Sequence, residues 1–159
     1  MPNSYFSEAR NVELSIIYFI ETSVASDWDK VTVVKSFTNA YKAALPVIAI
    51  ELSNVNTNRR EVGSTTLLND YIINIDIFAT SNGQRIDLAH YISNKLKDGC
   101  VYYEHSQTSG DPETLTRIAN GRVFVTDYLS NIKVNVGAEV DKYDKYRNFI
   151  SISVRKSNQ

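Results

Sequence analysis

Two nearby stretches of alternating apolar residues constrain this chain more than any other feature. In residues 47–52, Ile48, Ile50 and Leu52 alternate with smaller or polar residues, and in residues 71–79, Tyr71, Ile73, Ile75 and Ile77 do the same. A period of two is the signature of a strand with one buried face. The two runs predict neighbouring strands of one hairpin. Their connection, residues 53–66, is polar and longer than a tight hairpin requires, so it is expected to project from the body or to extend the ladder outward.

Glycine and proline are scarce, six and three, so their positions mark where elements stop. They divide the chain into two helices and about six strands, without repeats. A first helix is expected to begin near Ser4 or Ser7 and to run to about Asp27, because Val12, Ile16, Phe19, Ile20 and Val24 recur at helical spacing. Leu14, Ile17 and Tyr18 widen its apolar face, which implies burial on more than one side. Residues 31–37 are rich in β-branched side chains and read as a strand, followed at 39–44 by a short helical turn before Pro46.

The second helix carries the clearest signals. Ser81 and Gln84 have capping-box spacing, Ile86, Ala89, Ile92 and Leu96 form an apolar stripe, and Gly99 is the stop. Lys95 and Lys97 fall in its last turn, where cations favour the helix dipole. Residues 101–103 read as a short strand. Residues 104–121 form a polar segment with Pro112, too long for a routine connection. Three further strands are expected at 122–128, 131–136 and 148–155; in the last, Ile150, Ile152 and Val154 face one way and Ser151, Ser153 and Arg155 the other. The sum is one α+β domain, a mainly antiparallel sheet of five to six strands with two principal helices packed on one face.

The 159 residues suit a single domain, and 17 basic against 18 acidic side chains give a net charge of −1, so no global basic field marks a nucleic-acid binder. Cys100 is the only cysteine, which excludes an intrachain disulfide and a thiolate metal cluster and points to a reducing compartment. The most apolar stretch, residues 14–20, is far too short to span a bilayer, so no membrane association is expected. No two glycines lie close enough to cradle a phosphate, and G-x-S-x-G, H-E-x-x-H and EF-hand patterns are absent. No cofactor and no metal are expected.

The remaining polar residues have mild readings. His90 sits on the polar side of the second helix, a solvated or interfacial side chain. Cys100 and His105 are conceivable as a nucleophile pair, but neither an orienting base nor an oxyanion site accompanies them, so Cys100 reads as a half-buried thiol at a strand start. Asp76 interrupts its strand and is expected within reach of Arg85 as an ion pair or cap. Residues 141–147, with Asp141, Tyr143, Asp144, Tyr146 and Arg147, mix both charges with aromatics as a solvated turn or an inter-subunit contact. Ten tyrosines, among them Tyr102, Tyr103 and Tyr128, suit either strand propensity or surfaces buried on assembly.

The central segments Leu45-Pro46-Val47-Ile48-Ala49-Ile50-Glu51, Glu61-Val62-Gly63-Ser64, Tyr71-Ile72-Ile73-Asn74-Ile75-Asp76-Ile77-Phe78-Ala79 and Gln84-Arg85-Ile86-Asp87-Leu88-Ala89 resemble the tail-terminator, or tail-completion, proteins of tailed bacteriophages. The resemblance covers roughly residues 11–103, and its motifs are patterns of fold. It implies a small α+β subunit of the virion, made in the host cytoplasm. Such subunits close into homohexameric rings that cap the tail tube and bind the head connector. It implies as partners the chain itself, the tail tube protein, the head connector or neck protein and the tail sheath, with genomic DNA passing the lumen without sequence-specific binding. No enzymatic residues come with it.

Within that reading, residues 53–66 and 104–121 are the candidate contact arms. The candidate contacts are Arg59, Arg60, Glu61, His105, Arg117, Tyr143, Tyr146 and Arg147. The long 104–121 segment departs from the family pattern and leaves room for another neck, connector or baseplate ring protein. The rival from a different class is a small α+β module that binds a peptide at a sheet edge. A thiol enzyme using Cys100 and His105 stands third.

Overall fold

The expected hairpin lies within one continuous sheet. In the structure, a computed structural model that describes residues 4–63, 65–108, 114–134 and 144–157, β3 (Val47–Arg59) pairs antiparallel with β4 (Leu67–Phe78) from Val47↔Phe78 out to Arg59↔Leu67. The polar connection therefore extends the ladder outward. Its turn is closed by the Arg60 N–H donating to the Thr66 carbonyl at 3.0 Å, with Gly63 at a φ of +83° that glycine adopts without a Cβ clash.

Five more strands complete the sheet: β1 (Ser4–Tyr5), β2 (Thr32–Val34), β5 (Cys100–Thr108), β6 (Thr114–Lys133) and β7 (Arg147–Ser157). The order is β1-β5-β6-β7-β4-β3-β2, antiparallel throughout except for β2 against β3. Two principal helices, α1 (Glu8–Asp27) and α3 (Asn82–Leu96), share one face. The fold is α+β, mainly antiparallel, as the patterning implies.

Alternation separates the two faces. Ile48, Ile50, Ile73, Ile75, Ile77, Ile150, Ile152 and Val154 pack against Val12, Ile16, Ile20, Leu88, Ile92 and Leu96. Each large aliphatic side chain buried there contributes about 1.5–3 kcal/mol relative to exposure. The intervening residues Val47, Ala49 and Phe78 face the other way and are covered by a third, short helix, α2 (Phe37–Ala40).

Several boundaries differ from expectation. The strand expected at 101–103 runs to Thr108, and the strands expected at 122–128 and 131–136 are one 20-residue strand that begins at Thr114. Register shifts at Val125/Asp127 and Tyr128/Ser130 absorb the irregular stretch between them, so one strand bends where two were expected. On α3, Ser81 Oγ accepts the Gln84 N–H at 3.2 Å as the capping pattern requires, but Gln84 Oε1 reaches back to the N–H of Thr80 at 2.8 Å. Ile86 is 49% exposed and is not part of the core stripe, which uses Leu88 with Ala89, Ile92 and Leu96.

The expected contact of Asp76 with Arg85 does not form. Asp76 lies between Ile75 and Ile77 and so faces away from α3, where the β4–β7 pairing brings Arg147 to it at 2.8 Å. Arg85, on the α3 side, donates to Asn148 Oδ1 at 2.6 Å.

Helix α1 also does the work of a strand. Along the β5 edge, Asn11 Oδ1 accepts the His105 N–H at 3.0 Å and Ser15 Oγ accepts the Tyr103 N–H at 2.9 Å. On the other flank Glu13 Oε2 accepts the Leu52 N–H of β3 at 2.7 Å. The sheet therefore curls around α1, whose polar side chains satisfy backbone groups on two separate strands.

Candidate functional site

Two ribbons leave the body of the sheet. β4 is paired by β7 only from Tyr71 to Phe78, so beyond Val55↔Tyr71 the pairs Asn56↔Asp70 to Arg59↔Leu67 form a two-stranded ribbon. Further along the strand order, β6 meets β7 no earlier than Arg122↔Ser157, so the pairs from Tyr103↔Ala119 to Thr108↔Thr114 form a second ribbon, beside which β1 adds two residues. A two-stranded ribbon alone in water is marginal. Both nevertheless present apolar side chains to solvent: Val55 at 38% and Leu67 at 54% on the first, Leu115 at 47% and Ile118 at 62% on the second.

The expected contact residues divide between surface and interior. Arg59 ends β3, and Arg60 and Glu61 follow it in the turn, all three exposed. Arg117 lies on the exposed strand of the second ribbon, with its guanidinium 3.9 Å over the Tyr18 ring. Tyr146 is half-buried, its carbonyl accepting the Ala79 N–H at 2.9 Å. Tyr143 and Asp141 lie outside the described residues.

His105 is buried, whereas Arg147 is half-buried. His105 is 2% exposed: Nδ1 lies 3.0 Å from Asn11 Oδ1, and Nε2 accepts from Arg117 Nε at 3.3 Å. That pair of partners requires the neutral ring, with its proton on Nδ1. Burial first, and then the Arg117, Arg10 and Lys35 cations, hold its pKa below the ordinary histidine value. Arg147 bonds Asp76 and lies 3.6 Å from Asp144, with its guanidinium 4.5 Å from the Phe37 ring. It seals the α2 side of the sheet. Burial still raises the Asp76 pKa, against the opposing pull of Arg147.

The tyrosines expected at assembly surfaces are also divided. Tyr102 is in the core and Tyr103 packs edge-on against Tyr18, while Tyr128 is 43% exposed and donates to the Ser93 carbonyl at 2.9 Å. The β5–β6 register shifts between Val101 and Tyr103, with the extra residue on β6, and Tyr102 and His105 are both buried although three residues apart, which strict alternation does not show.

Cys100 starts β5 as expected but is fully in the core, and burial pushes its thiol up to about 12. A thiol so disfavoured as thiolate is a poor nucleophile. Both ring nitrogens of His105 are engaged by Asn11 and Arg117. His90 is exposed on α3, 2.9 Å from Asn94 Nδ2. Among the described residues no cluster of three His, Cys, Asp or Glu side chains could hold a metal ion, and no helix is long and apolar enough to cross a membrane. No protein-family model matches the chain, and no curated protein matches it either.

Proposed function

We propose that the chain is a structural subunit of the tail terminator or neck of a tailed bacteriophage. It closes into a ring, a hexamer on the resemblance, that ends the tail tube and joins it to the head connector, with a tail sheath as a further neighbour where one exists. It catalyses no reaction and takes no cofactor; its place is the virion, after assembly in the host cytoplasm. The observation that carries this reading is the pair of projecting ribbons, β3–β4 and β5–β6, which expose Val55 and Leu67 on one and Leu115 and Ile118 on the other. Two different surfaces per subunit are what a head-to-tail ring requires, and closure removes sheet edges that would otherwise aggregate.

The test is to add the purified protein to purified tail tubes and image them. Caps on one tube end support the reading; tubes that stay bare, with connectors also unbound, contradict it. The outer edge of β3 favours a second reading, a monomeric module that adds an extended peptide as a strand. A saturable peptide ligand bound by a stable monomer would select it.

A further inference from the structure

Each ribbon contains a strand whose outer edge has no strand beside it among the described residues. β2 covers β3 only at Val47, Ile48 and Ala49, and Glu13 takes the Leu52 N–H; over residues 53–58 β4 is the only strand beside β3 among the described residues. Among the described residues β6 is in the same state over residues 115–120, where β5 lies on one side and β7 pairs with β6 only from Arg122. Such edges are templates for another strand, and proteins that must remain monomeric blunt them with lysine, proline or inward charge. Residues 53–58 contain no charged side chain and no proline. Within 115–120 the one charge, Arg117, is turned onto Tyr18 and His105.

The two edges also complement each other. They are of equal length and each is bordered by exposed apolar side chains, Val55 and Leu67 on one ribbon, Leu115 and Ile118 on the other. Over residues 53–58 and 115–120 the one charge is Arg117, so bringing the two edges together sets no like charges against each other.

We propose that the edge of β3 at residues 53–58 pairs with the edge of β6 at residues 115–120 of a second copy, so that the sheet runs on from subunit to subunit. This rests on the ring reading and names its contact. Because the two edges are different, the contact is head-to-tail and repeats until the ring closes.

Two variants test it. Asn56→Lys with Asn58→Lys blocks only the β3 edge, and Thr116→Lys with Ile118→Lys blocks only the β6 edge. The wild type should assemble, and each variant alone should sediment at the monomer mass of 18.0 kDa. Mixed, and trapped by cross-linking, the two should yield a species of twice that mass and nothing larger, because each keeps the edge that the other lacks. The heterodimer also demonstrates that both variants are folded. Rings formed by either variant overturn the edge pairing and leave the ring reading standing, as does a mixture without heterodimer beside an assembling wild type. A wild type that stays monomeric overturns the edge pairing, which needs no third component, while binding to tail tubes then decides the ring reading.

Discussion

His105 is held neutral from both sides of its ring, and this makes the stability of the fold depend on pH. A histidine whose native pKa is depressed stabilises the folded state above its ordinary value of 6.5, and the contribution is lost as pH falls below 6.5 toward the native value. Wild-type melting temperature should therefore drop between about pH 7.5 and 5.5, and His105→Gln should flatten that part of the profile; an unchanged profile would show that His105 does not titrate there. Arg147 is the second sensitive position. Arg147→Met should cost about 3 kcal/mol in denaturant unfolding, because it strands the Asp76 carboxylate beside Phe78, and adding Asp76→Asn should recover much of the loss. Equal losses in the single and double variants would deny the coupling. The sequence identified His105 and Arg147 as chemically able residues but not what holds them. Their partners lie far along the chain, Asn11 being 94 residues from His105 and Asp76 being 71 from Arg147, and no local pattern encodes such pairs.

At the level of elements, periodicity located what is buried on one face and missed what is paired through polar strands. Ile48, Ile50, Ile73, Ile75 and Ile77 declare their strands because burial selects alternate residues, and the Ser81 cap and Gly99 stop bound α3. The outer halves of β3 and β5 carry no such signal: residues 53–58 are exposed on both faces, so asparagine and threonine there resemble a loop. Asn11 and Ser15 were hidden in the same way, as polar residues within an apolar helix whose purpose is a strand edge. Two predictions belong here. Gly99 has a φ of +74°, and a Cβ there would lie 2.4 Å from the Val123 carbonyl oxygen, so Gly99→Ala should cost on the order of 2 kcal/mol in thermal or denaturant unfolding; a neutral substitution would contradict the close β5–β6 approach. The amides of residues 56–59 and 67–70, held in a two-stranded ribbon, should exchange hydrogen rapidly in the monomer and become protected on assembly, while those of residues 71–78 stay protected in both. Ribbon amides already slow in the monomer would mean that the ribbon needs no partner.

For the whole molecule, the body and the ribbons divide the work. The helices and central strands bury one apolar face, while β3 and β6 run past that core and, among the described residues, present edges with no strand beside them. Stability thus resides in the centre and the open edges at the periphery, the division on which the proposed ring relies. The most direct measurement is the mass of the purified protein by light scattering, with negative-stain images of the same sample. Closed rings with a central opening, at a mass several times 18.0 kDa, are the predicted result; a monomer at every concentration that also leaves tail tubes and connectors unbound would contradict the account.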